Sequence, residues 1–291
     1  MTNRIKHQLR KSAFSTIIYA VKLLQKSYYC RLLVDKFVNT LREQYRSKNV
    51  AGVDFKIPVS SDLLNWRYQT FETKEPETLQ WIDGFNSNDV FWDIGANIGL
   101  YSIYAYKKSD CKVFAFEPSS FNLEWLHRVI ALNCGSYDLT VVPLAVSSRN
   151  LYSTFRYSST DFGGALNAFD ISFDWAGEEF TSIFEQGCFG MRGIDICKFL
   201  NIPKPTKIKI DVDGAEHIVL EGLEDILDHV DSILIEVNKT FVEQYVSVSK
   251  ILVRNGFTLN GYFPLSDNIQ SDDRFSGVGN EIWIKNAVAA A

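Results

Sequence analysis

Four carboxylates in this 291-residue sequence occupy positions where acid–base chemistry is expected. Asp211, Asp213 and Glu216 follow the apolar segment KIKI, and Glu236 lies in the next apolar segment, SILIEV. If both segments are neighbouring parallel strands, their ends meet at the sheet edge where open α/β sheets bind ligands. A carboxylate there, with its pKa raised by like-charged neighbours, can act as general base towards a hydroxyl group. We expect Asp211 or Asp213 to be that base, with Glu236 positioning the hydroxyl or accepting a second proton.

The same acids also suit a divalent cation, which would lower the pKa of the hydroxyl directly. Residue types do not decide between the two, so Asp211, Asp213 and Glu236 are equally candidate metal ligands. Glu216 and Asn238 follow the same two segments and are expected on the substrate side. The alternative for Glu216 is an acid at a helix N-terminus, where the helix dipole stabilises it.

A second chemical signal is the segment VFWDIGANIGLYS at residues 90–102. Its apolar start predicts a strand, and its two glycines predict a loop whose N–H groups face a ligand at a helix N-terminus. A dinucleotide site would need G-x-G-x-x-G, but Asn97 stands in place of the second glycine, and Asp93 would repel a phosphate. Glu117 ends the next predicted strand, where a carboxylate accepts hydrogen bonds from ribose hydroxyls. Together these residues predict a nucleoside site without a pyrophosphate.

Positioning these residues requires an α/β framework, which the apolar pattern predicts. Strands and helices alternate from residue 90 onward, as is typical of a parallel sheet with helical crossovers. Strands are expected near 90–94, 112–116, 139–146, 207–212, 232–237, 258–263 and 281–284, and helices near 100–107, 121–132, 194–200, 217–227 and 241–255. No helix is predicted between the last two strands, so they should form a hairpin that makes the last strand antiparallel. Upstream, a short strand is expected within 49–60, and Pro76 is placed to open a helix.

Residues 151–190 interrupt this alternation. They hold ten aromatic residues and six acids against one basic residue, Arg156. A long irregular insertion of this kind is typical of a substrate lid, and the alternative is a small satellite core.

The N-terminus differs from the rest in charge. Residues 1–50 carry 11 Lys and Arg against 2 Asp and Glu, a net charge of +9. One or two helices are predicted over 4–46, either as a cap with a solvated basic face or as an amphipathic segment on an anionic membrane. We therefore divide the chain into a basic helical extension, 1–48, and a main domain, 49–288.

The composition narrows the protein class. With 46% apolar and 22% charged residues the chain is ordinary for a globular protein, and its net charge of −5 argues against general nucleic-acid binding. The five cysteines are odd in number and lack metal-site spacing, which is typical of reduced intracellular thiols. No apolar run reaches the length of a membrane span. The expected location is the cytoplasm, with peripheral contact at the inner face of a membrane if residues 1–46 bind lipid.

Several segments match one family in order along the chain. They are KEPETLQWI (74–82), DIGANIGLYS (93–102), FEP (116–118), KIDVDGAEHIVLEG (209–222) and IEVN (235–238), together with Asn133. With these segments the chain resembles the FkbM-type family of S-adenosylmethionine-dependent methyltransferases. One departure is Asp213, where that family more often has Glu; the side chain is one methylene shorter and keeps its charge.

The resemblance implies a Rossmann-like seven-stranded methyltransferase sheet, mostly parallel with an antiparallel C-terminal hairpin strand. It also implies S-adenosylmethionine as cofactor and O-methylation of a hydroxyl, most often of a sugar in a glycan, a glycolipid or a natural product. The cofactor residues it implies are Asp93, Gly95, Ala96, Asn97 and Gly99 at the methionine end, Glu117 with Pro118 at the ribose, Ala145 at the adenine, and Glu75 and Thr78 at the entrance.

Two other functions remain open. A NAD-dependent oxidoreductase or epimerase of Rossmann type would share the alternating pattern, but Asn97 and the terminal hairpin disfavour it. A non-catalytic, membrane-associated binding protein would keep the fold without turnover, and the complete acidic cluster disfavours it.

Overall fold

The computed structural model describes residues 3–58, 61–134, 139–265, 275 and 277–286. The chain forms two units, residues 1–46 with 58–60, and residues 47–57 with 61–291. The first unit contains helices α1 (Asn3–Leu24) and α2 (Tyr28–Arg42). In the described ranges, no helix is long and apolar enough to cross a membrane.

The remaining elements begin with a β-hairpin and two helices that precede the main sheet. They are β1 (Tyr45–Val50), β2 (Val53–Pro58), α3 (Asp62–Lys74) and α4 (Pro76–Ile82). The first half of the alternating region comprises β3 (Val90–Ile94), α5 (Leu100–Ser109), β4 (Lys112–Phe116), α6 (Ser120–Asn133), β5 (Leu139–Val142), β6 (Ala145–Val146), β7 (Leu151–Tyr157), β8 (Ala168–Phe169) and β9 (Phe184–Met191). The second half comprises α7 (Gly193–Leu200), β10 (Lys207–Ile210), α8 (Glu216–Leu223), a 3₁₀ helix (Glu224–His229), β11 (Ser232–Asn238), α9 (Val242–Arg254), β12 (Phe257–Pro264) and β13 (Val278–Lys285).

Seven strands form the main sheet, in the order β12-β13-β11-β10-β3-β4-β5. The pairs from β11 through β5 are parallel, whereas β13 is antiparallel to both of its neighbours, β11 and β12. The predicted fold class, including the antiparallel C-terminal hairpin, is confirmed. Because β3, β4, β10 and β11 are parallel, the acids that follow them or end them meet at one edge.

The sheet carries an apolar core on each face. Successive residues of a strand point to opposite faces, so Phe91 packs with Ile103 and Leu126 in one core, while Trp92 packs with Ile208 in the other. Helices α5 and α6 cover the first face, and α8 and α9 cover the second. The main sheet is therefore a rigid support for the loops at its carboxyl edge.

Several element predictions need correction. The strand expected over 139–146 is interrupted at Pro143, which has no N–H for a ladder, so Ala145 belongs to a second sheet. That second sheet has the order β6-β9-β7-β8, so the 151–190 insertion is not irregular throughout. Strand β10 ends at Ile210, two residues earlier than expected. The sequence analysis also missed β1 and α3.

Candidate active site

A cavity of about 370 Å³ lies beyond the carboxyl ends of the main strands. We call it the central cavity. Its wall includes residues from the glycine loop, from α3, from the insertion and from the ends of β10 and β11. This position agrees with the general site of ligand binding in open α/β sheets.

The structure brings about half of the predicted site residues to the cavity wall. Those lining it are Gly95, Asn97, Glu117, Pro118, Ala145, Asp211, Asp213 and Glu236. Those behind the wall are Asp93, Ala96, Gly99, Glu75, Thr78, Glu216 and Asn238. The second group consists of residues that hold the wall or its supporting loops.

Glu117 fixes the glycine loop in the cavity wall. Its carboxylate accepts hydrogen bonds from the backbone N–H of Asn97 and of Ser119, both at 2.8 Å. Burial raises the pKa of Glu117 to about 8, although the two N–H groups act in the opposite direction. Each of its oxygens keeps a lone pair for a further donor, such as a sugar hydroxyl.

Two buried oxygens beside this loop have no hydrogen-bond partner among the described residues: Asn97 Oδ1 and Asp93 Oδ1. The other oxygen of Asp93 accepts from Ser102 Oγ at 2.5 Å. Buried acceptors without a partner are costly, so Asn97 Oδ1, which belongs to a residue of the cavity wall, indicates a ligand that brings N–H or O–H groups. The ammonium of a methionine moiety and the hydroxyls of a ribose are donors of this kind, so the residues fit S-adenosylmethionine.

A buried lysine holds the first acid after β10. Lys209 Nζ lies 2.6 Å from Asp211 Oδ2, and only 1% of the Lys209 side chain is exposed. Burial lowers the pKa of Lys209, but the charges of Asp211, Glu75 and Asp93 outweigh burial and raise it overall. The β3–β10 register pairs Lys209 with Asp93, which explains why these charges share one face. Asp211 is thereby ion-paired to Lys209 in the cavity wall.

Asp213 connects the same loop to the insertion. Its Oδ2 accepts from the backbone N–H of Leu166 at 2.7 Å and more weakly from that of Asn167 at 3.4 Å. Burial and the neighbouring Asp211 charge raise the pKa of Asp213 to about 6. A carboxyl with this pKa is ionised near neutral pH and remains a competent proton acceptor.

Residues 163–167, which we call the arch, are bound by polar groups from three other segments. Arg67 Nε donates to Gly163 O at 2.7 Å, and Asn97 Nδ2 donates to Gly164 O at 2.9 Å. Asn122 bonds both glycines, donating to Gly164 O at 3.1 Å and accepting from Gly163 N at 3.1 Å. With the bond to Asp213, these contacts hold the insertion against the cavity wall.

Glu236 lies in the same wall, and burial, followed by the charges of Asp211 and Glu216, raises its pKa well above the ordinary value. This shift favours the neutral carboxyl, which can donate a hydrogen bond. The site thus combines an acid ion-paired to a lysine, Asp211, with three acids of raised pKa, Glu117, Asp213 and Glu236.

Glu216 faces the protein and supports the β10 loop. Its carboxylate accepts from the backbone N–H of Val212 at 3.0 Å and of Gly214 at 3.1 Å, and from the side chain of Gln244. Burial raises its pKa to about 7. Gln244 also accepts from the backbone N–H of Asn238, at 2.8 Å. Glu216 and Asn238 are thereby joined in one network behind the wall.

The junction of α3 and α4 contributes a second buried ion pair. Lys74 Nζ lies 2.6 Å from Glu75 Oε1, and Thr78 Oγ1 donates to Glu75 Oε2 at 3.3 Å. Burial alone would raise the pKa of Glu75, but the charges of Lys74 and Lys209 outweigh it and lower the pKa to about 2. Lys74 lines the cavity, whereas Glu75 and Thr78 do not.

The predicted metal ligands are present in the wall, but within the described ranges no three His, Cys, Asp or Glu side chains cluster in a way that could hold a metal ion. The divalent cation therefore gains no support from this geometry.

Sequence reasoning missed several wall residues. Arg67 and Trp66 lie on α3, a helix whose apolar pattern was not detected, and Asn122 lies two positions into α6 after the FEP segment. A signal for Asn122 was its position close to Glu117. For the arch, the Gly163–Gly164 pair marked a turn without indicating what that turn contacts.

Comparison with known proteins identifies relatives of this chain. The model of the methyltransferase FkbM domain matches residues 93–259. The chain is 26% identical to hexuronic acid methyltransferase AglP of Haloferax volcanii, over 65% of this chain and 72% of that protein. It is 28% identical to methyltransferase sdnD of Sordaria araneosa, over 48% of this chain and 62% of that protein.

Solved structures with a related fold are more distant. TYW2 of M. jannaschii in complex with AdoMet is 14% identical, with a TM-score of 0.42, over 84% of this chain and 88% of that one. The fibrillarin pre-rRNA processing protein of Methanococcus jannaschii is 10% identical, with a TM-score of 0.46, over 84% of each chain. Nothing about substrate follows from similarity at this level.

Proposed function

The chain belongs to the methyltransferase FkbM domain family and is an S-adenosylmethionine-dependent methyltransferase, and we propose that its acceptor is a hydroxyl group of a sugar. The relative AglP is named as a hexuronic acid methyltransferase, which favours a sugar acceptor. Because the chain belongs to this methyltransferase family, the oxidoreductase alternative from the sequence analysis no longer applies.

One observation carries the proposal: the wall of one cavity holds Glu117, an acid suited to ribose hydroxyls, together with three further acids, Asp211, Asp213 and Glu236. When bound, S-adenosylmethionine supplies an electrophilic methyl group. Asn97 and Glu117 offer acceptor oxygens to its ammonium and ribose hydroxyls. The three further acids are then left for the acceptor hydroxyl and its proton.

The acceptor side combines aromatic rings with these acids. Trp66, Trp175 and Phe275 line the cavity, and the rings of Trp175 and Phe275 lie 4.9 Å apart. Aromatic side chains bury the apolar C–H faces of a ligand, while a few polar groups fix its orientation. A sugar presents both kinds of surface.

Among the acids, Asp213 is the best proton acceptor. Asp211 is engaged by the Lys209 ammonium at 2.6 Å, and burial raises the pKa of Glu236 well above its ordinary value, which favours its neutral form. Asp213 has a pKa of about 6, and its Oδ1 has no hydrogen-bond partner in the part of the chain that the structure describes. We assign the general base to Asp213 and orientation of the hydroxyl to Glu236 as a donor.

The test is methyl transfer from labelled S-adenosylmethionine to a glucuronic acid glycoside and to the matching glucoside. A hexuronic acid offers both hydroxyls and a carboxyl, so the product is treated with mild alkali, which removes a methyl ester and leaves a methyl ether. We expect label that survives alkali. Label lost in alkali, or no transfer to either sugar while S-adenosylhomocysteine still binds, would contradict the sugar-hydroxyl proposal.

A further inference from the structure

The two helices of the first unit expose a large apolar surface. Among the side chains of α1 and α2 that the structure describes, twelve large apolar ones are exposed, including Tyr29 at 77%, Leu33 at 68% and Phe37 at 63%. Single exposed hydrophobic residues are ordinary on a protein surface, but a run of them on two consecutive helices marks an interaction site. Only Val21, Cys30 and Val34 are partly buried in the described part of this helix pair.

Charge indicates what covers this surface. Residues 1–46 carry ten Lys and Arg against two Asp and Glu, a net charge of +8. A second copy would bring the same positive charge against it, so self-association through these helices is opposed by repulsion. A negatively charged lipid surface offers apolar tails and opposite charge together, and helices that are both basic and apolar lie in that interface.

We propose that α1 and α2 dock this chain on an anionic lipid bilayer. The exposed apolar side chains enter the region between headgroups and acyl chains, and Lys22, Lys26 and Arg31, close to the turn between the helices, contact acidic headgroups. Docking of this kind holds the enzyme at a surface where a lipid-linked acceptor would be concentrated. The docking itself does not depend on the proposed acceptor.

The test is co-sedimentation of the full chain with vesicles of phosphatidylcholine alone and of phosphatidylcholine with 30% phosphatidylglycerol, roughly the anionic fraction that attracts basic segments. We expect binding to the mixed vesicles, at least tenfold weaker binding to the neutral ones, and weakening by salt. Equal binding to both vesicles, or binding to neither, overturns the proposal.

Two variants separate the contributions of charge and apolar surface. The triple variant K22E/K26E/R31E should weaken binding to the mixed vesicles by more than roughly 100-fold, since losing each basic residue costs about fivefold near such a surface and each new glutamate adds repulsion. L33S/F37S should also release the protein. The control F189S/F199S changes two side chains that are 63% and 75% exposed elsewhere, and should bind as the parent does.

Circular dichroism and binding of S-adenosylhomocysteine establish that each variant is folded. If F37S instead abolishes a dimer that light scattering detects in the parent without lipid, the surface is a self-interface and the lipid proposal is wrong. Loss of vesicle binding in the folded triple variant, with F189S/F199S unaffected, supports it.

Discussion

The backbone of Gly95 packs directly against the carbonyl of Asp211. A Cβ placed on Gly95 would lie 1.8 Å from Asp211 O, and Gly95 also has φ +86°. The loop after β3 and the loop after β10 are therefore in van der Waals contact through their main chains. Gly95 serves here to let the cofactor loop approach the acidic loop, which differs from a glycine that makes room for a pyrophosphate.

Gly95→Ala should destabilise the protein by at least about 3 kcal/mol, because it adds a backbone clash to the strain of a positive φ. Gly52→Ala is the matched control: Gly52 has φ +85° in the β1–β2 turn, and a Cβ there meets no atom within 4 Å. We expect it to cost only about 1 kcal/mol from the left-handed conformation. Urea unfolding of both variants measures the difference, and equal losses would show that the approach to Asp211 is unimportant.

Glu117→Gln should make stability less dependent on pH. Burial raises the pKa of Glu117 to about 8 in the folded chain, against 4.5 ordinarily, so between these values the native state keeps a proton that the unfolded chain releases. The free energy of unfolding contributed by Glu117 therefore falls as pH rises through this window. Between pH 5 and 8, the free energy of unfolding should fall less steeply with rising pH in Glu117→Gln than in the parent. Glu221 is exposed, so the free energy of unfolding of Glu221→Gln should depend on pH as that of the parent does. If it falls equally steeply in all three proteins, Glu117 does not have the raised pKa assigned to it.

The framework and the position of the glycine loop after β3 were predictable because they depend on local signals. Alternation of apolar strands with helices gave the parallel sheet, and a missing helix between the last two strands gave the antiparallel β13. Glu117 was located by its position after β4, since strand ends meet at one sheet edge. These features need no knowledge of contacts between distant segments.

The arch was not predictable because its contacts join segments far apart in sequence. Arg67 lies 96 residues before Gly163, and Asp213 lies 47 residues after Leu166. The pattern of aromatic and acidic residues in the insertion indicated a binding role, yet carried no information on which turn would meet Arg67. Helix α3 has a weak apolar periodicity, so Arg67 was not recognised as a buried charge.

Arg67→Ala should release the arch and change the pH dependence of activity. The variant removes a donor to Gly163 and a positive charge that lowers the pKa of Asp213. We expect S-adenosylhomocysteine to bind about tenfold more weakly, in keeping with the loss of a charged hydrogen bond. The acid limb of the rate profile should also move to higher pH. Arg67→Lys, which retains the charge, should restore the limb but not the affinity, and Arg128→Ala, a change at a partly exposed arginine on α6, should change neither. If the acid limb of Arg67→Ala lies at the same pH as in the parent, Arg67 does not influence the pKa of Asp213.

Asp213→Asn should abolish most turnover and leave cofactor binding intact. Asparagine keeps an oxygen for the Leu166 N–H but cannot take a proton, so the rate should fall by roughly 10²- to 10⁴-fold. In the parent the rate should rise with pH through about 6, as Asp213 ionises, and this limb should be absent from the residual activity of the variant. Calorimetric titration with S-adenosylhomocysteine checks that the site is intact.

Asp211→Asn is the informative comparison for this last variant, because it removes the negative charge that is paired with the buried Lys209. We expect a loss of stability of about 3–5 kcal/mol, typical of breaking a buried pair, together with the loss of activity. Asp213→Asn should be close to parental in stability, so the two acids separate into a base and an ion-paired support. Parental turnover in Asp213→Asn with an unchanged acid limb would show that another group takes the proton.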